Sequence, residues 1–176
     1  MIAAPSASDL EAIREQLGRE PRDLVRIAHR CPCGNPDVVA TAPRLADGSP
    51  FPTFYYLTCP LAASAIGTLE ASGLMADMTA RLEADADVRA AYRTAHETYL
   101  RDRSTWGDVP EIADVSAGGM PYRVKCLHAL VAHSLAVGPG VNPFGDEALE
   151  RLGPWWSDGP CVGMAPGADS GGAPCG

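Results

Sequence analysis

Aromatic side chains are scarce in this chain, at 6% of 176 residues. Large stacking platforms are therefore few, and with alanine abundant and a hydrophobic fraction of 46%, helices are expected to dominate the packing. Positive charge is also short: 14 Lys and Arg stand against 22 Asp and Glu, a formal net charge of −8. That balance argues against a nucleic-acid partner, because counterion-releasing contacts need clustered cations. The one local concentration, Arg19, Arg22, Arg26 and Arg30, reads first as a solvated face. No apolar run is long enough to cross a bilayer, and residues 1–7 have neither the basic flank nor the apolar stretch of a secretory signal. The expectation is a cytoplasmic protein without membrane insertion. That compartment is reducing, so the six cysteines read as metal ligands, reactive thiols or buried side chains before they read as disulfides.

The length suits one domain. Residues 1–8 are expected to be a disordered N-terminus, 9–152 a single α+β domain, and 153–176, rich in glycine, proline and alanine, a disordered tail with a possible anchor at Trp155 or Trp156. Ser8 and Glu11 have capping-box spacing ahead of Leu10, Ile13 and Leu17, with Gly18 as the stop. From Val25 the period changes to two, which predicts a strand carrying His29 and Cys31 on one face. Val38–Thr41 and Thr53–Thr58 read as two more strands. Pro60 suits the first position of a helix running toward Gly73, with Cys59 at its amino end. Further helices follow around Leu74–Leu82 and from near Asp87 to Tyr99. Pro121 is expected to open another that carries Cys126, His128 and His133, and Asp146–Leu152 to form the last. The fold class is thus α+β, a small antiparallel sheet packed against several helices.

Three places supply soft ligands: Cys31 and Cys33 at a turn, Cys59 at a strand-to-helix junction, and Cys126 with His128 near a helix start. Thiolate and imidazole are the donors zinc prefers, and a structural zinc site takes four of them. The spacing is not that of a standard finger. Cys126 and His133 lie seven residues apart, about 10 Å along a helix, too far to share an ion. Cys126 and His128 fit together only if the helix begins late. The expected metal set is Cys31, Cys59, Cys126 and His128, with Cys33 as the leading substitute, and zinc as the ion. The plain alternative is that these cysteines are simply buried.

A second possibility is thiol chemistry. Cys59 at a helix amino terminus has its thiolate favoured by free backbone donors, and His29 or His128 is the available base. Cys59 and His128 are accordingly the catalytic candidates of an enzyme acting on a small substrate, phosphorylated ones included, in a pocket near His29, His128 and Arg123. Cys31 and Cys33 are closer together than a redox pair requires. Gly118–Gly119 reads as a hinge or tight turn before it reads as an anion cradle. Cys161 and Cys175 belong to the tail and receive no role.

The stretches AHRCPCGNP (28–36), FPTFYYLTCP (51–60) and KCLHALVAH (125–133), followed by NPFG (142–145), resemble an uncharacterised bacterial family, domain of unknown function 501, in the form found in high-GC actinobacteria. The resemblance covers roughly residues 9–152. It implies a bacterial cytosolic domain and supplies no reaction. Members are often encoded beside a septum-formation initiator and an exopolyphosphatase, which implies a division or phosphate-metabolism partner by association alone. A partner-binding module without chemistry is the third reading.

Overall fold

The computed structural model describes residues 4–163. Its elements are α1 (Ala7–Leu17), β1 (Leu24–Arg30), β2 (Pro36–Thr41), β3 (Tyr55–Leu57), α2 (Pro60–Ala71), α3 (Leu74–Ala84), α4 (Ala86–Ser104), a single 3-10 turn at Pro110–Ile112, α5 (Leu127–Val137) and α6 (Pro143–Leu152). The strands make one antiparallel sheet in the order β1-β2-β3, and the architecture is α+β. Among the described residues no helix is long and apolar enough to cross a membrane.

Every residue of the central strand β2 is buried, because α1 packs on it from one side and α5 reaches it from the other. The few aromatics are concentrated in the core: Phe54, Tyr55, Tyr92, Tyr99 and Phe144 are each no more than 1% exposed. Each such side chain contributes roughly 1.5–3 kcal/mol by leaving water. Tyr99 also accepts the Phe54 and Tyr55 amides through its hydroxyl, at 2.6 and 3.2 Å, so a helix side chain satisfies donors at the short strand β3.

Helix α6 meets α5 at close range, and the Asn142-Pro143-Phe144-Gly145 segment makes this possible. Asn142 Oδ1 caps the helix by accepting the Gly145 amide at 3.1 Å, and Pro143 takes the first helical position, where no amide is needed. A Cβ on Gly145 would run into the Leu130 carbonyl and Ser134 Oγ. Only glycine lets the two backbones come this near.

Several element boundaries differ from the sequence expectation. Helix α1 is capped by Ser6 in a capping box with Asp9, two residues before Ser8, so Ala7 and Ser8 are already helical. Pro121 does not open α5, which starts six residues later. Strand β1 loses its period-two alternation at three register shifts, two of which flank His29. As a result His29 and Cys31 do not share an environment: His29 Nδ1 pairs with buried Asp37 at 2.7 Å, while Cys31 lies beyond the strand end beside Cys33. Residues 153–163 fold back, with Trp155 and Trp156 packed edge to face and Cys161 brought against Gln16 of α1 and Asn35 before β2. The arginines disperse as well. Arg30 makes a two-pronged ion pair with Asp9, Arg26 lies over the Tyr55 ring, and Arg19 and Arg22 line a shallow cleft.

Candidate metal centre

The geometry of the centre begins at two glycines. Gly118 and Gly119 have φ of 67° and 93°. A Cβ on Gly118 would stand 2.6 Å from Leu130 Cδ2, and one on Gly119 the same distance from the Arg123 carbonyl oxygen. The segment is therefore a tight turn folded against α5, with the Lys125 amide returning to the Gly118 carbonyl at 2.8 Å. It holds the chain out of the helix as far as Cys126, which precedes α5 with extended φ, ψ of −150°, 110°. Two positions inside a helix point about 200° apart. Because Cys126 is outside it, its side chain and that of His128 converge on α2.

Ala63 and Glu70 on α2 are seven residues apart, nearly two turns, and so present to the same side. His128 Nε2 meets the Ala63 carbonyl at 3.1 Å. A carbonyl only accepts, so Nε2 carries hydrogen and Nδ1 faces Glu70 Oε1 at 3.2 Å. The same carboxylate oxygen accepts the Leu127 amide at 2.7 Å, one of the free donors at the start of α5. One ligand atom from each of Glu70, Cys126 and His128 lies within 4.8 Å of the others. Hydrogen bonding to Cys126, then to Glu70 and the Ala63 carbonyl, pushes the His128 imidazole up to about 9 against the opposing effect of burial. The cluster holds a positive charge on that ring near neutral pH. Cys126 and His128 line a cleft of about 690 Å³ together with Tyr56, Thr58 and Lys125.

The five residues singled out from the sequence thus divide between two places. Cys126 and His128 meet at this cleft, and their partner is Glu70. Cys31, Cys33 and Cys59 are not part of that set, and among the described residues no other group of three donors falls within 4.8 Å. The expected four-donor set of Cys31, Cys59, Cys126 and His128 is not assembled, because its members are held by different partners: Cys126 and His128 face Glu70 and Ala63 of α2, Cys59 at the start of α2 meets Cys161, and Cys31 lies in the turn before β2. Cys59 is fully buried. Hydrogen bonding to Cys161, then burial, pushes its thiol up, with the Leu61 and Ala62 amides acting in the opposite direction. His29 is committed to Asp37 and lines a different cleft with Leu149, so the expected pocket shared by His29 and His128 is not formed. Burial, with the neighbouring Cys33 thiol, also pushes Cys31 up, to about 12.

Two participants were missed. Glu70 is the only charged residue in the α2 sequence PLAASAIGTLEA, and a lone carboxylate on an apolar helix was the available signal. Cys161 belongs to the stretch expected to be a disordered tail, yet its thiol interacts with those of Cys59 and Cys33, and its sulfur accepts N–H from Gln16 Nε2 at 3.2 Å and Asn35 Nδ2 at 3.9 Å. Nothing in its glycine- and proline-rich surroundings marked it. Cys175 lies outside the described residues.

Fold and site together define an α+β domain with a Glu/Cys/His donor cluster at the wall of a cleft. The family model described as Protein of unknown function (DUF501) matches residues 27–150, and the chain belongs to that family. No curated protein and no solved structure matches it.

Proposed function

We propose that this is a metal-binding protein whose ion, of the zinc class, is held by Cys126 Sγ, His128 Nδ1 and the Glu70 carboxylate. The observation that carries the reading is the mutual 4.8 Å approach of these three donors. The second nitrogen of His128 supports it. A ligating imidazole usually donates its other N–H to a carbonyl or carboxylate, and His128 Nε2 donates to the Ala63 carbonyl. One thiolate, one imidazole and one carboxylate suit zinc better than calcium or magnesium, which take oxygen ligands. Three protein donors beside a cleft form the arrangement in which such an ion keeps a position for water or a small ligand. Lys125, on the same cleft wall, favours an anionic ligand.

The test is metal content of the full chain, purified without a histidine tag and reconstituted with zinc. Cys126→Ser and Glu70→Gln each lose or weaken one equivalent relative to wild type. Equal zinc content and affinity in Cys126→Ser and wild type overturns the reading.

The contact of Cys126 with His128 favours one second reading, a thiol-dependent enzyme using Cys126 in place of the expected Cys59. Alkylation separates the two: zinc protects Cys126 if it is a ligand and leaves its labelling rate unchanged if it is not. In either reading we assign the protein to the cytoplasm of a bacterium, where its thiols stay reduced. A division or phosphate-metabolism partner is proposed from gene neighbourhood, with co-purification from its own cells as the test.

A further inference from the structure

The cysteines left out of the Glu70–Cys126–His128 cluster are not scattered. Cys31 and Cys33 share a tight turn, in which the Gly34 amide bonds the Cys31 carbonyl and the Cys31 amide bonds the Asn35 carbonyl, at 2.8 and 2.9 Å. Asn35, whose carbonyl closes that turn, points its Nδ2 at the Cys161 sulfur at 3.9 Å, and the Thr58 amide, next to Cys59, bonds the Asp37 carbonyl two residues beyond Asn35 at 2.8 Å. The thiols of Cys31, Cys33, Cys161 and Cys59 are neighbours in that order. Four free thiols from three separate points of the chain thus form a linked series, with Cys31 and Cys59 nearly or fully buried and Cys33 and Cys161 half-buried.

A second, independent observation concerns the surroundings. Gln16 Oε1, Asn35 Oδ1, Asp37 Oδ2 and Thr58 Oγ1 are buried and have no hydrogen-bond partner among the described residues. Gln16 and Asn35 contact the Cys161 sulfur, Thr58 adjoins Cys59 in sequence and the Asp37 charge acts on the Cys31 thiol, and each of these residues is at least nine-tenths buried. Buried polar atoms are almost always satisfied, so three unpartnered acceptor oxygens and the Thr58 hydroxyl beside four thiols make a neighbourhood that favours a positive charge. The amide nitrogens of Gln16 and Asn35 meanwhile point at the Cys161 sulfur, the type of donor that supports a metal-bound thiolate.

We propose that Cys31, Cys33, Cys59 and Cys161 together bind one thiophilic divalent ion, a four-sulfur site distinct from the centre at Glu70, Cys126 and His128. Among the described residues no three of these sulfurs lie within 4.8 Å of one another, so coordination requires the side chains to move toward a common point. The four thiol protons pass to solvent as the metal–sulfur bonds form. With no position left for substrate, this is a structural site of the closed kind. It ties the segment after α6 to α1, to the turn before β2 and to the start of α2.

The experiment titrates cobalt(II) and zinc into the reduced, metal-free full chain and reads the thiolate-to-cobalt charge-transfer band, whose intensity scales with the number of sulfur ligands. Cys126→Ser, which removes the thiolate of the other centre, retains one equivalent with the band of a four-sulfur site. Cys161→Ser loses that equivalent and keeps the one at Glu70, Cys126 and His128. Cys33→Ser, at a half-buried position, does the same, and circular dichroism confirms that each variant is folded. Binding and band unchanged in both Cys161→Ser and Cys33→Ser would sink the proposal. So would a Cys59–Cys161 disulfide in freshly isolated protein that carries no ion there, which marks a redox pair instead.

Discussion

His133 makes acid stability a test of how tightly the core is specified. The ring is fully buried, stacked on Tyr55 with centroids 5.8 Å apart and edge-on to Tyr99 at 5.2 Å. Asn142 Oδ1 is taken by the Gly145 amide, so the Asn142 NH2 group must face His133 Nδ1, at 3.2 Å. Nδ1 therefore accepts, and a proton added there would confront a donor. Burial pulls the imidazole down to about 4, with Asp146 on α6 acting weakly the other way. The Tyr55 and Tyr99 phenols facing it are pushed up by burial and stay neutral below pH 7. Between pH 6.5 and about 4 the unfolded chain takes a proton that the folded chain refuses, so stability falls as pH falls through this window. One group contributes at most about 1.4 kcal/mol per pH unit, which sums to about 3 kcal/mol. His133→Gln keeps an acceptor for Asn142 and removes the titration. The variant starts less stable at pH 7, but its urea midpoint falls about 1–2 M less than that of wild type between pH 7 and 4. His96, which burial also pulls down, is present in both proteins and cancels. Parallel midpoint curves for the two proteins would refute the reasoning.

The remaining predictions concern packing and the metal centre. Gly145→Ala forces α5 and α6 apart and is expected to cost about 1–3 kcal/mol, a fall of roughly 3–10 °C in thermal midpoint by calorimetry. Tyr99→Phe leaves the buried Phe54 and Tyr55 amides without their acceptor and is expected to cost about 1–3 kcal/mol by urea denaturation, with faster exchange of both amides. Glu70→Gln keeps an acceptor for the Leu127 amide while removing the negative charge. Its zinc affinity falls by more than its stability does, and a loss of stability with unchanged zinc affinity would mark Glu70 as a helix cap alone.

How legible the protein was in its sequence differs between fold and site. The third strand and the helix opening at Pro60 are local decisions, read from β-branched and aromatic residues in one case and from proline's tolerance of the first helical turn in the other. The late start of α5 is not local. Pro121 and the apolar positions after it satisfy a helical pattern, but the glycine pair at 118 and 119 folds the chain against Leu130 and holds it extended to Cys126. The alternation through His29 and Cys31 was sound as a pattern, and the bulges of β1 undid it.

By itself the sequence determined the inventory: an acidic chain, short strands followed by helices, and cysteines and histidines gathered in a few compact stretches. Those are properties of composition and of spacing within about ten residues, where backbone geometry alone relates one side chain to the next. Which donors meet was decided by the tertiary structure. Cys126 and His128 found Glu70, more than 50 residues earlier in the chain, and Cys59 found Cys161, about 100 residues later. Each of those meetings depends on how α2 packs against α5 and on where the chain returns after α6. Such placement comes from burying a shared core and leaves no periodic trace in the residues it brings together.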